Sequence, residues 1–392
     1  MIGQKGLPAT YGGIEHHVEQ LASRLVAMGH EVVVYTRPHY SDPSLTKHLG
    51  IDLKSVRSIP SKHLDAITHS LASSLDSRGE DFDIIHYHAI GPCLTAPLAR
   101  KRGRRIVATI HGQDWRRGKW NAAAALALQL AEHMAISVPD ATVSVSAGLA
   151  EMYAEKGAER IRYIPNGVTL SPDRDPDILA RLGLESGEYC VFVGRLVPEK
   201  GAHYLLEAWR RLNTTRKLVI VGDSSFSDDY TRSLLKPKDN VIFTGYLYGG
   251  SLSTVFANAG LFVLPSDLEG LPIVLLESLA LGTPVLASNI APNQEILGSH
   301  GEYFDAGNVE HLTERLKQLL PRMRELKASA KFLQHAVVSK YDWDCVARQT
   351  EMLYLELLGR VETESDPAPV ALLHSPQPDR AGVAADAVEE VG

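Results

Sequence analysis

The sequence predicts an α/β protein built from two doubly wound parallel-sheet domains that face one cleft. Short apolar, β-rich runs alternate with helical patterns along most of the chain, the signature of parallel sheets with helices on both faces. The alternation comes in two series, each containing a glycine turn that leads into a helix. At 392 residues the chain is long enough to bury two such cores.

Strand candidates in the first series are residues 31–35, 82–86, 106–110, 141–145 and 162–164; helical patterns at 14–28 and 122–136 fall between them. The second series has strands at 190–193, 218–221, 241–243, 261–264 and 285–287, with helices at 202–212, 271–281 and 309–319. The expected division is an N-terminal domain over 1–170, a linker over 171–187 and a C-terminal domain over 188–340. The linker begins Ser171-Pro-Asp-Arg-Asp-Pro-Asp, which is polar, proline-punctuated and without period. Tyr341-Asp-Trp-Asp opens an amphipathic helix within 341–360, and the Pro-, Ala- and acid-rich stretch 361–392 reads as a disordered tail. Only Met1 and Ile2 precede the first glycine loop, too few for a strand of about 5 residues. The expectation is a start upstream of Met1; the alternative is a first sheet without its central strand.

Composition excludes several classes. A hydrophobic fraction of 44% and a charged fraction of 22% are globular values, and a net charge of −7 argues against nucleic-acid binding. Cys93, Cys190 and Cys345 are few and scattered, which excludes a disulfide framework or a Cys-rich zinc site and fits a reducing compartment. The N-terminus shows no secretory apolar region, and the longest apolar run, 122–131, is half a membrane span. A soluble, cytoplasmic protein is expected. Arg100-Lys-Arg-Gly-Arg-Arg105 reads as a solvated helix end, with attraction to anionic lipid, a peripheral contact at the inner membrane face, as the alternative.

The most informative stretch is Pro265-Ser-Asp-Leu-Glu-Gly-Leu-Pro-Ile-Val-Leu-Leu-Glu277. Gly270 supplies a tight turn and Leu271 starts the helical pattern, with Pro272 suited to its first position. The unpaired N–H groups of a first turn bind anions. Glu269 stands before that helix mouth and Glu277 about 8 Å along the axis. Carboxylates repel phosphate but accept hydrogen bonds from hydroxyls, so a diphosphate flanked by a sugar and a ribose fits the pattern. Arg195 and Lys200, in and after Gly194-Arg-Leu-Val-Pro-Glu-Lys-Gly201, would meet the same diphosphate if their loop faces Gly270.

His111 ends the strand 106–110 and is placed for the cleft, although a hydrogen-bonded loop histidine fits the position equally. Asp114, Trp115 and Lys119 follow in a polar–aromatic loop suited to an acceptor sugar, or to a helix entry with a buried Trp. No metal site is expected. The Asp-x-Asp pairs lie away from strand ends, and His16-His17 and His86-Tyr-His88 have no further ligands near in sequence. Neither glycine turn carries Gly-x-Gly-x-x-Gly, so a nicotinamide enzyme is disfavoured.

With these motifs assembled, the chain resembles the family 4 glycosyltransferases of GT-B fold from Gly3 to about Leu358. The anchors are Gly6-Leu-Pro-Ala-Thr-Tyr-Gly-Gly13, Ile164-Pro-Asn-Gly-Val168, Gly194–Gly201 and Glu269–Glu277. The first anchor, with His111-Gly-Gln-Asp-Trp115, is similar to a bacterial polysaccharide subgroup associated with rhamnosyl or related transfer. The resemblance implies retaining transfer of a hexosyl or deoxyhexosyl group from a nucleotide-diphosphate sugar to a saccharide or lipid-linked acceptor, with no cofactor and no metal. It assigns Arg195 and Lys200 to the diphosphate, Glu277 to the ribose, Glu269 to donor-sugar hydroxyls, His111 to the neighbourhood of the donor sugar, and Gly12 and Gly13 to the phosphates. A nucleotide-sugar epimerase of similar architecture and a catalytically silent nucleotide-sugar binder are the alternatives.

Overall fold

The computed structural model describes residues 1–360 apart from 11, 62–63, 114, 116–121, 169–172, 224–228 and 236–239. Its N-terminal half contains strands β1 (Val33–Thr36), β2 (Lys47–His48), β3 (Ile51–Ser55), β4 (Ile84–His88), β5 (Arg105–Ile110), β6 (Ala141–Ser144) and β7 (Ile161–Tyr163). Helices α1 (Gly13–Ala27), α2 (Asp65–Asp76), α3 (Ala122–Ser137) and α4 (Ala147–Glu155) accompany them. The C-terminal half carries α5 (Ile178–Arg181), β8 (Tyr189–Val193), α6 (Ala202–Leu212), β9 (Lys217–Val221), α7 (Asp229–Leu234), β10 (Val241–Gly245) and α8 (Gly249–Asn258). It continues with β11 (Leu261–Leu264), α9 (Ile273–Ala280), β12 (Val285–Ser288), α10 (Ala291–Leu297), β13 (Glu302–Phe304), α11 (Val309–Leu319), α12 (Met323–Lys340) and α13 (Trp343–Leu357).

The second sheet has the order β10-β9-β8-β11-β12-β13, and all its pairs are parallel. Buried on both faces, its strands are near-continuous apolar runs. Val191, Val219 and Phe262 pack towards α8 and α9, whereas Cys190, Phe192 and Leu218 pack towards α6 and α11. Strand order reverses between β8 and β11. In open α/β sheets that reversal leaves a ligand crevice at the carboxyl ends. Gly194–Arg195 and Pro265–Gly270 leave those two ends.

In the first half, β1-β3-β2 and β4-β5-β6-β7 form two groups joined through the first two residues. Ile2 N–H donates to His86 O (2.9 Å), His88 N–H to Ile2 O (2.8 Å) and Tyr35 N–H to Met1 O (3.1 Å). Met1–Ile2 thus fill the central slot between β1 and β4, and Ile2 is completely buried. Between β1 and β4 the sheet is bridged by these two residues alone among the described ones.

After the second sheet the chain returns to the first half. Trp343, fully buried, sets its ring edge-on to those of His16 and His17, and Arg24 pairs with Asp344 at 2.5 Å. Tyr354 OH lies 2.5 Å from His86 Nδ1. The stretch 361–392, read as a tail, lies outside the described residues.

One local expectation is corrected. Leu271 and Pro272 precede α9 rather than opening it; Pro272 is the N-cap, with extended backbone. The basic run follows the helical segment 91–99, with Arg100 as its C-cap, and its charged residues are exposed as a solvated helix end would have them, except Arg104. Arg104 is 5% exposed and donates to the carbonyls of Ala99, Ser77, Glu80 and Phe82, closing a loop that would otherwise bury unpaired acceptors.

Candidate active site

The two halves meet where β5, β8 and β11 end. An ideal Cβ on Gly270 would fall 1.9 Å from His111 O, and one on Gly112 would lie 3.6 Å from the Gly270 backbone. The turn after β11 is therefore pressed against the turn after β5, and only a residue without a side chain fits at 270. Gly201 behaves similarly within the second half: a Cβ there would strike Pro265 O at 1.9 Å. Asp267 N–H donates to Glu199 O (3.0 Å), locking the Lys200 loop to the β11 turn.

That lock brings Lys200 onto Glu269. Lys200 Nζ lies 2.6 and 2.7 Å from the two carboxylate oxygens, and Ser266 Oγ donates to Oε1 at 2.7 Å. The Glu269 side chain is 7% exposed and that of Lys200 19%. Sequence reasoning assigned these two side chains to different parts of a ligand. In the fold they pair with each other, a pairing visible only once 69 residues of separation close.

Glu277 differs. It lies on α9, and among the described residues no hydrogen bond reaches its carboxyl group. Burial pushes its pKa up to about 7.

Across the cleft, α1 follows its N-cap Gly12, whose φ is 99° and which has no side chain to cap the first-turn N–H groups. Gly13 faces Ile273 of α9, with a built Cβ 3.8 Å from Cδ1. Lys5, in the same loop, has its ammonium held below the usual range, mainly by burial and further by nearby cations including Arg195. The two glycine turns therefore share one cleft, as their sequence positions suggest.

His111 lies between the halves with His88 and His17. Its Nε2 is 3.4 Å from His88 Nδ1, and its ring stands edge-on to that of His17 with centroids 4.7 Å apart. Burial keeps His17 down at about 4, and burial with neighbouring imidazoles holds His88 and His111 well below 6.5. All three are neutral at physiological pH. The reading of His16-His17 and His86-Tyr-His88 as isolated is corrected: one ring nitrogen each from His17, His88 and His111 lies within 4.8 Å of the others. The ends of β4 and β5 and the start of α1 converge there, which sequence spacing does not reveal.

Asn166 was not singled out. Its Oδ1 meets His17 Nδ1 (2.9 Å), and its Nδ2 donates to Leu271 O (2.7 Å), tying the histidines to the segment before α9. The available signal was its place in Ile164-Pro-Asn-Gly-Val168. Trp115 is half-buried, its indole N–H donating to Glu132 Oε1 at 3.1 Å, so only part of its ring remains for a ligand. Asp114 and Lys119 lie outside the described residues.

This geometry agrees with the relatives. Residues 11–171 match the family described as Glycosyltransferase Family 4, and residues 173–331 that described as Glycosyl transferases group 1. A GDP-mannose-dependent α-(1-6)-phosphatidylinositol monomannoside mannosyltransferase of Mycolicibacterium smegmatis is 30% identical, over 86% of this chain and 93% of that protein. The chain belongs to the family 4 glycosyltransferases. An uncharacterised glycosyltransferase of Methanocaldococcus jannaschii is 27% identical over 90% of this chain and 97% of its own. Among solved structures, sucrose-phosphate synthase from Thermosynechococcus elongatus superposes with a TM-score of 0.76 at 21% identity, covering 92% and 96% of the two chains. HepE of Anabaena, in complex with UDP-glucose, gives 0.73 at 19% identity, covering 89% and 97%. These two establish the GT-B fold. As a family 4 glycosyltransferase, the protein is a retaining enzyme that uses nucleotide sugars.

Proposed function

We propose that this glycosyltransferase moves a hexosyl or deoxyhexosyl group from a nucleotide-diphosphate sugar to a saccharide or lipid-linked acceptor in cell-surface polysaccharide synthesis, without a metal. The observation that supports the reading is the contact of Gly270 with His111–Gly112, which brings the Lys200–Glu269 pair and His111 together.

In this reading Glu277 accepts the ribose hydroxyls and Arg195 takes the diphosphate. Lys200 exchanges its carboxylate partner for a phosphate oxygen, which frees Glu269 for the donor-sugar hydroxyls. Gly12 and Gly13 approach the phosphates at the open start of α1, Gly270 and Leu271 line the donor side, and the helix N-terminus adds a favourable dipole. Neutral His111 donates a hydrogen bond to the sugar without adding charge. The bond from the anomeric carbon to phosphate oxygen breaks while the acceptor oxygen bonds on the same face. The acceptor proton passes to the departing phosphate, whose charge Arg195 and Lys200 stabilise. Trp115, with Asp114 and Lys119, serves the acceptor.

The domain division at 171–187 is part of this proposal, with the acceptor on the first half. So is cytoplasmic placement with peripheral contact at the inner membrane face. Among the described residues no helix is long and apolar enough to cross a membrane. Leu126 and Leu130 on α3 are 68% and 55% exposed, and α3 packs on the segment leading to Arg100 and Lys101. Melting-temperature shifts against UDP-, GDP- and dTDP-sugars, followed by transfer assays with the stabilising donor, test the function. A shift with one nucleotide class and glycosylated product is expected; turnover of donor to its epimer without acceptor would overturn it.

A further inference from the structure

Glu295 lies on α10, in the C-terminal half, yet among the described residues the hydrogen bonds its carboxylate accepts come from the N-terminal half. Ser146 Oγ donates to Oε2 at 2.9 Å, Ala147 N–H reaches both oxygens at 2.9 and 3.1 Å, and Tyr163 OH donates to Oε1 at 2.9 Å. Ser146 is the N-cap of α4. A serine there usually accepts from the helix's own first-turn N–H groups. This one makes no such bond and donates to Glu295 instead. The cap of α4, and the negative charge that suits its positive end, therefore come from the other half of the molecule.

The far side of α10 is anchored to the donor turn. Buried Asn293 donates to Ser288 O (2.9 Å) and Ser288 Oγ donates to Ser266 O (2.5 Å), while Ser266 Oγ holds Glu269. Glu295 thus grips the first half from an element fixed to the wall that carries the Lys200–Glu269 pair.

We propose that Glu295 is a positioning residue for transfer, a clasp that holds the two halves at the separation where His111–Gly112 meets Glu269–Gly270. This rests on the cleft being the transfer site. Opening the cleft would strip Glu295 of all these donors at once and leave α4 uncapped, so the contact favours the closed arrangement specifically. Among the described residues no hydrogen bond joins Glu295 to Lys200, Glu277 or His111, and it takes no part in the chemical step.

The test compares Glu295→Ala, Glu295→Asp and Tyr163→Phe with the wild type. Small-angle scattering of the ligand-free proteins reads closure, and calorimetry with UDP-glucose and GDP-mannose reads donor affinity. Glu295→Ala should enlarge the radius of gyration and lower kcat for transfer about 10–100-fold, the scale of a reacting group displaced by about 1 Å. Donor Kd should change less than about 3-fold, because the donor residues stay on one wall. Tyr163→Phe should give a smaller loss, Glu295→Asp should restore part of kcat, and Glu295→Ala/Tyr163→Phe should be no worse than Glu295→Ala alone. Unchanged scattering and kcat in Glu295→Ala, additive losses, or donor affinity falling as far as kcat would each overturn the clasp. If the Ala variant opens but the wild type transfers no sugar, the clasp stands and the functional reading fails.

Discussion

Replacing Glu277 by Gln should make the ligand-free enzyme more stable while weakening its grip on donor. The native carboxyl group holds its proton up to about pH 7, against an ordinary 4.5. The folded state therefore binds this proton more tightly than the unfolded chain, and stability falls as pH rises from 4.5 to about 7. At 1.36 kcal/mol per pH unit, ionisation at pH 8 costs up to about 3 kcal/mol. Gln keeps the volume and removes the charge. Its expected gain at pH 8 is about 1–3 kcal/mol, since side chains and water relax around the carboxylate. For a half-molecule of this size that is a melting temperature about 3–8 °C higher. The gain should vanish near pH 4, where both states of the wild type are protonated. Losing the charged acceptor proposed for the two ribose hydroxyls should weaken binding of the nucleotide sugar that stabilises the wild type at least about 10-fold. Calorimetric melting of both proteins at pH 8 and pH 4, with titrations of that nucleotide sugar at pH 8, measures both effects. A Gln variant no more stable than the wild type at pH 8, or one that keeps wild-type donor affinity, would refute the reasoning.

If Glu277 holds the donor's ribose, donor affinity is pH-dependent: the Kd of wild type for the nucleotide sugar that stabilises it should fall as pH rises through about 7, and the Gln variant should show no such step. Lys200→Ala should lower kcat about 100–1,000-fold and cost about 3 kcal/mol of stability by leaving Glu269 buried without its cation. Adding Glu269→Gln should recover stability and not turnover, as melting and transfer assays would report. Gly270→Ala sets a methyl group 1.9 Å from His111 O, so the halves must part. Transfer should fall more than about 100-fold, and scattering should show a larger radius.

Much of this was legible in one dimension. The strands at 106–110, 190–193, 218–221 and 261–264 were readable because strands buried on both faces need continuous apolar runs. The helices α6 and α11 were readable from their amphipathic period. The hairpin β2–β3 was missed because an edge pair with one wet face interrupts that apolar signal with Lys, His and Asp. Gly270, Lys200 and Glu277 were recognisable because each is tied to local chemistry: a turn, a mobile cation beside a glycine loop, a carboxylate on a helix. Asn166 and Glu295 were not, since a lone Asn or a lone helical Glu carries no local sign of a partner 105 or 148 residues away.

The sequence by itself determined the class of protein: two parallel α/β units, glycine turns at the strand ends, and charged side chains of the types a nucleotide sugar requires. Those features depend on backbone periodicity and on the chemistry of single residues, which neighbours in the chain specify. Only the tertiary structure decided how the charges pair, with Lys200 neutralised by Glu269, Glu277 left without a donor, three histidines gathered neutral under the cleft, and Glu295 reaching across it. Pairing and desolvation depend on what lies within a few ångströms, and folding sets those distances between residues that the chain keeps far apart.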